Sequence, residues 1–137
     1  MVYLDSNVFL YASLYDASSN AKARAALRLI DEVADGKVRA TSSILAWDEV
    51  VWVTWKLLGR ERAFKVGSVV IRLKDVRFVD VSRKTILKAE EICQKYELRP
   101  RDAIHAATAI LEGEREVITE DDEFDKVREI RRVSLLG

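Results

Sequence analysis

The chain has one cysteine, one histidine and one proline among 137 residues. A single cysteine, Cys93, excludes an internal disulfide and agrees with a reducing compartment. With one thiol and one imidazole there is no donor set for a zinc site. Amides are scarce as well, with two asparagines and one glutamine; together with many charges this composition leans towards a heat-adapted source. No apolar run approaches the ~18 residues of a membrane span, and no stretch reads as a signal peptide. The expectation is a cytoplasmic protein with no membrane attachment. Net charge is also missing, because 23 Lys and Arg balance 23 Asp and Glu. A nucleic-acid partner would have to be met by a local patch rather than by overall basicity.

What is present is a globular composition. Hydrophobic residues make up 49% and charged residues 34%, which excludes disorder. The length suits one domain, residues 1–137, with no repeat, low-complexity segment or linker. The apolar stretch VYLD (2–5) reads as a strand leading into a helix. Residues 20–35 place Ala23, Ala26, Leu27, Ile30, Val33 and Ala34 at helical spacing, with Gly36 as a stop. KVRAT (37–41) reads as a second strand. Ser42 or Ser43 would cap an apolar helix that runs to Leu58 and ends at Gly59. A helix over about 60–74 and a strand VRFVDV (76–81) follow. Ser82 opens a helix with Ile86, Ala89, Cys93 and Tyr96 on one face, and Pro100 begins another that Gly113 closes. EVIT (116–119) is a strand, DDEFDKV a short helix and EIRRVSL (129–135) a last strand. Short strands alternating with helices predict an α/β fold: a three-layer α/β/α sandwich around a mainly parallel sheet of about five strands.

Four acids stand where ligands bind in such sheets, beyond the carboxyl ends of the strands. Asp5 leaves the first strand and Asp121 leaves EVIT. Asp102 occupies the first turn of the Pro100 helix. Glu49 has Leu45, Ala46, Trp52 and Val53 as helical neighbours, an apolar setting that is costly for a charge. Taken singly, Asp5 and Asp121 read equally well as N-caps, Asp102 as a complement to the helix dipole and Glu49 as half of an ion pair. Taken together, they would repel by about 4 kcal/mol per pair at 4 Å and an effective dielectric of 20. Either their pKa values rise or a divalent cation neutralises them. All-oxygen ligation suits Mg²⁺ or Mn²⁺, the metals of phosphodiester hydrolysis.

Four stretches in this order carry a family resemblance: YLDSN (3–7), TSSILAWDEVVWV (41–53), RPRDAIHAATAI (99–110) and VITEDDEF (117–124). The chain resembles the PIN-domain nucleases and, among them, the VapC-type toxins of type II toxin–antitoxin systems. The resemblance implies an Mg²⁺- or Mn²⁺-dependent endoribonuclease that hydrolyses RNA with metal-activated water and leaves a 5′-phosphate. It also implies an antitoxin that covers the acidic groove, and a homodimer. Residue by residue, the catalytic and metal-binding acids would be Asp5, Glu49, Asp102 and Asp121, supported by Asn7 and Thr119. Asp48 and Asp122 adjoin two of these acids, and the motif alignment favours Glu49 and Asp121 over them. Glu120 departs from the pattern, since the residue after the threonine is usually Asn or Ala, and it adds a charge.

Other residues read in two ways. Arg99 and Arg101 flank Asp102 and are candidates for binding RNA phosphates, whereas Arg60, Arg62 and Lys65 read as a solvated face. His105 follows Asp102 by three residues, so it is either a packed side chain or half of a transition-metal pair. Trp47, Trp52 and Trp55 make the helix at 43–58 apolar almost all round; core packing accounts for two of them and an interface for the rest. Three other functions compete: a phosphatase with Asp5 as nucleophile, a non-catalytic interaction module in which the acids are only caps, and a nuclease of RNA maturation outside any toxin pair. Asn7 stands where such a phosphatase needs a second acid.

Overall fold

Alternating apolar runs and amphipathic stretches build a parallel sheet with helices on both faces. The computed structural model describes residues 1–137. Strand β1 (Val2–Leu4) leads into helices α1 (Ser6–Leu14) and α2 (Ala21–Ala34), then β2 (Ala40–Ser43). Helices α3 (Leu45–Leu58) and α4 (Arg60–Ile71) precede β3 (Val76–Val79). Helices α5 (Arg83–Tyr96) and α6 (Pro100–Leu111) come before β4 (Glu116–Ile118), a 3₁₀ turn at Asp122–Lys126 and β5 (Arg131–Val133). The strand order is β3-β2-β1-β4-β5, and every pairing is parallel. The expected three-layer α/β/α sandwich with five short strands is what the chain forms.

Alternation along the central strands divides the core in two. Tyr3 and Val117 face α5 and α6, packing with Ala89, Ile92, Ala103 and Ala106. Leu4 and Ile118 face the other layer, among Val8, Phe9, Ala26, Val50 and Val70. Full burial of each large apolar side chain contributes roughly 1.5–3 kcal/mol, which is how a three-residue strand can be held so firmly. After β1 the chain moves to β2 on one side, and β4 later returns to the other side of β1. The β1–β4 boundary is therefore the switch point at which doubly wound sheets bind ligands.

Several boundaries differ from the sequence expectation. The second strand begins at Ala40 and runs through Ser43, so both serines are strand residues; of the two expected caps only Ser43 reaches the helix, its Oγ accepting the Leu45 amide at 3.1 Å at the start of α3. Ser42 is fully buried and its hydroxyl donates to the Leu4 carbonyl at 2.7 Å. Ile44, the residue just before α3, has no side-chain group that could cap it. On α2 the buried stripe is Ala23, Ala26 and Val33, while Leu27 is exposed. On α5 it is Thr85, Ala89 and Ile92, which leaves Ile86 in solvent. The predicted capping by Ser82 is present as a reciprocal pair with Thr85.

Helix α3 carries the largest correction. Trp47, Trp52 and Trp55 are all exposed rather than core. The helix instead buries Ala46, Val50, Val51 and Thr54 and packs along α4. Gly59, at φ +92°, turns the chain between the two helices. Gly67 lets them meet closely, because a Cβ there would stand 2.5 Å from Val51 Cγ2 and 2.9 Å from Trp47 Nε1.

Candidate active site

Each of the four acids reaches one cavity from a different element. Asp5 follows β1, Glu49 projects from the second turn of α3, Asp102 from the first turn of α6, and Asp121 follows β4. With Ser6, Asn7, Trp52, Lys56 and Arg101 they line a cavity of about 310 Å³. Asp48 and Asp122 are exposed and do not line it, and Asp48 pairs with Arg101 at 3.4 Å.

Asp5 is the buried floor, 5% exposed. Its Oδ1 accepts the Ser6 amide at 2.8 Å, which makes it the N-cap of α1. Its Oδ2 accepts the Thr119 hydroxyl at 2.7 Å and the Asn7 amide at 3.0 Å. Thr119 Oγ1 in turn accepts from Asn7 Nδ2 at 2.9 Å and from the Asp121 amide at 3.0 Å. Asn7 and Thr119 thus tie the exit of β1 to the exit of β4 and orient Asp5 and Asp121 together. Asp121 also caps the 3₁₀ turn by accepting the Glu123 amide.

The electrostatics are those of crowded anions. Burial raises the Asp5 carboxyl, partly offset by His105 and the Thr119 hydroxyl. Burial, followed by the charges of Asp121 and Asp5, pushes Asp102 up to about 6, although Arg99 lies 3.9 Å away. Few cations answer these charges at contact distance. Glu120, expected to add to the crowding, faces away from it. It accepts from Ser134 Oγ and the Leu135 amide and pairs with Lys22 at 3.1 Å, and although burial opposes this, these contacts hold its carboxyl low.

His105 belongs to the centre, a place that its spacing in the chain does little to predict. The ring is fully buried. Its Nδ1 meets Tyr3 Oη at 2.6 Å, and its Nε2 bonds Glu49 Oε1 and lies 3.6 Å from Asp5 Oδ1. Burial alone would lower the imidazole pKa; the Glu49 bond and the Asp5 charge outweigh it and hold the ring above its usual value. Donor atoms of Asp5, Glu49 and His105 lie within 4.8 Å of one another. The only signal in the sequence was the three-residue spacing from Asp102.

The donor chemistry fits a hard divalent cation. The lining offers four carboxylates and no thiolate, and at Asp102 the charges of Asp121 and Asp5 add to the cost of burial. Arg99 and Arg101 join Glu49, Pro100 and Asp102 around an adjoining cavity of about 440 Å³. Arg60 and Lys65 line a separate cavity of about 820 Å³ that includes none of the four acids. Cys93 is half-buried against the α5–α6 core.

Comparison with known proteins gives a consistent answer. The PIN domain family model matches residues 2–130. No curated protein sequence matches. Among solved structures, VapBC2 from Rickettsia felis, bound to a DNA fragment from its promoter, superposes with a TM-score of 0.72 at 18% identity, covering 98% of each chain. VapC20 from Mycobacterium tuberculosis, a toxin that cleaves the sarcin–ricin loop, gives 0.72 at 18% identity over 91% of this chain and 93% of its own. A toxin–antitoxin complex from Klebsiella pneumoniae gives 0.66 at 21% identity over 96% of each. At these identities the likeness establishes a shared fold.

Proposed function

The chain belongs to the PIN domain family, and from that premise we propose that it is a metal-dependent endoribonuclease, the toxin of a toxin–antitoxin pair, with residues 1–137 as its single domain. One observation carries the reading: Asp5, Glu49, Asp102 and Asp121, drawn from four elements, line one cavity of about 310 Å³. Caps scattered for local reasons would have no cause to converge. The solved structures with this fold include toxins and a toxin–antitoxin complex, which favours a toxin over a nuclease of RNA maturation.

The four carboxylates would hold Mg²⁺ or Mn²⁺, which supplies charge neutralisation at the phosphate and a more acidic water for in-line attack. The protein's own groups do the rest. Asp5 is held by Ser6, Asn7 and Thr119, so its oxygens need no reorganisation. Asp102 or Asp121, both on the cavity lining, would orient the attacking water and accept the proton it loses. Arg99 and Arg101 stand beside Asp102 to meet flanking phosphates. Trp52 and Lys56, on the same helix as Glu49, also line the cavity. The exposed Trp47, Trp52, Trp55 and Phe64 on α3 and α4 supply an apolar face for protein partners, the antitoxin and a second copy of the chain. Because Trp52 belongs both to that face and to the cavity wall, a protein seated on it reaches the acids.

The test is RNA cleavage by purified protein with Mg²⁺ or Mn²⁺. Asp5→Asn should abolish cutting while the circular dichroism spectrum stays native. Undiminished cutting by that variant, in preparations free of contaminating nuclease, would refute the reading.

A further inference from the structure

The hydrogen bonds around His105 have a direction that the four-acid description does not use. Tyr3 and His105 are both fully buried, with their rings edge to face at 5.8 Å. Burial raises the Tyr3 phenol well above its usual pKa, so Oη keeps its proton. A ring protonated only on Nδ1 would set an Nε2 lone pair against the Glu49 carboxylate, which leaves two protonation patterns compatible with both contacts. In the neutral ring, Tyr3 Oη donates to Nδ1 and the ring proton sits on Nε2. In the doubly protonated ring, Oη accepts from Nδ1 and Nε2 again carries a proton. Both patterns leave Nε2 as a donor facing Glu49 Oε1, with no lone pair free for a metal ion.

We propose that His105, held in place by Tyr3, is the positioning residue for Glu49: its Nε2–H fixes that carboxylate towards the cavity, and the ring is not itself a metal ligand. This role rests on the metal-dependent reading above. Glu49 is the acid most in need of such support. It reaches the cavity from a helix through three rotatable bonds, whereas Asp5 is short and already bonded through both oxygens. The Tyr3–His105–Glu49 chain links β1, α6 and α3, so the carboxylate inherits the rigidity of the central strand. Partners of this kind, one step behind the ligands, typically change metal affinity by about 10- to 100-fold when removed.

The experiment is calorimetric titration of the whole chain with Mn²⁺ and, separately, Mg²⁺, at a temperature where melts show each variant folded. His105→Ala should weaken both metals by about 10- to 100-fold. His105→Gln should recover most of the affinity, because its amide nitrogen lies at about the same reach as Nε2 and donates to Glu49. Tyr3→Phe should weaken binding less than His105→Ala, and the double variant should bind no worse than His105→Ala alone, as members of one chain do. Should His105→Ala fail to fold, the comparison of His105→Gln with Tyr3→Phe still decides. Unchanged affinity in His105→Ala would reduce the ring to packing and overturn the proposal. A glutamine no better than alanine, or a loss confined to Mn²⁺, would overturn it by making the ring a direct ligand. Wild-type protein that takes up neither metal would overturn the metal-dependent reading together with this role, whereas normal uptake without RNA cleavage would refute the nuclease and leave the role of His105 intact.

Discussion

Neutralising Asp102 should make the metal-free protein more stable. Its carboxyl rises from 3.8 to about 6, first through burial and then through the charges of Asp121 and Asp5. A group whose folded pKa is raised stabilises the fold when protonated. That contribution is fully present below the unfolded value of 3.8 and is lost as the pH climbs towards the folded value of about 6. At about 1.4 kcal/mol per pKa unit, the ionised carboxylate costs on the order of 3 kcal/mol at pH 7. The side chain is 17% exposed, so solvent screening trims this only modestly. Asp102→Asn keeps the shape and removes the charge, and without metal at pH 7 it should be more stable than the wild type by about 1–3 kcal/mol. Near pH 4, where Asp102 is protonated in the wild-type fold, the two proteins should converge. Mg²⁺ should reverse the order at pH 7, because wild-type protein gains a ligand-bound state that the variant holds weakly. The assay is urea or thermal unfolding of both proteins from pH 4 to 8 in EDTA and in Mg²⁺. An Asp102→Asn protein no more stable than wild type at pH 7 in EDTA would refute the reasoning, since it would mean that the carboxylate is already neutralised within the chain.

Three further outcomes are expected. Mn²⁺ at 100 times its dissociation constant should stabilise wild-type protein by about 2.7 kcal/mol, and the gain should disappear in Asp5→Asn; differential scanning fluorimetry reads both. Arg99→Ala and Arg101→Ala, tested with catalytically silent Asp5→Asn protein, should each flatten the salt dependence of RNA affinity by about 0.7 in log–log slope if each meets one phosphate of a single strand, and an unchanged slope removes that arginine from the interface. Gly67→Ala should cost about 1–3 kcal/mol in unfolding free energy, because its methyl group meets Val51 and Trp47 between α3 and α4; wild-type stability would mean that those side chains yield freely.

The fold was legible because its signals are local. Apolar runs of three to five residues lie between helical patterns, and every predicted strand formed. What went astray depended on neighbours. Ser42 and Ser43 both look like caps in a sequence, but the Leu4 carbonyl takes the Ser42 hydroxyl, and only Ser43, at the end of β2, meets the first amide of α3. Leu27 and Ile86 satisfy helical spacing on α2 and α5, yet α2 packs on α1 and α5 on α6 along stripes that exclude them. Trp47, Trp52 and Trp55 mislead for a related reason. Periodicity reports that a face is apolar and cannot report that the same chain covers it only in part.

The acids were legible for a different reason: two leave strands at the carboxyl edge, where the sheet's topology gathers ligands. Their two readings, cap or metal-binding acid, looked exclusive and are not. Asp5 Oδ1 caps α1 through the Ser6 amide, while Oδ2 is held by Asn7 and Thr119 at the edge of the cavity. Capping is what makes such an acid rigid, so a carboxylate that also binds a cation gains from being a cap. In the sequence His105 reads only as packing or as half of a metal pair, because its partners lie 102 residues away at Tyr3 and 56 away at Glu49, and Tyr3 itself reads only as an apolar strand residue. Spacing could place His105 on the face of Asp102. It could not say that the same face is turned towards Glu49, because that depends on how α6 and α3 pack over the end of β1, a relation between elements that no single stretch of the chain encodes.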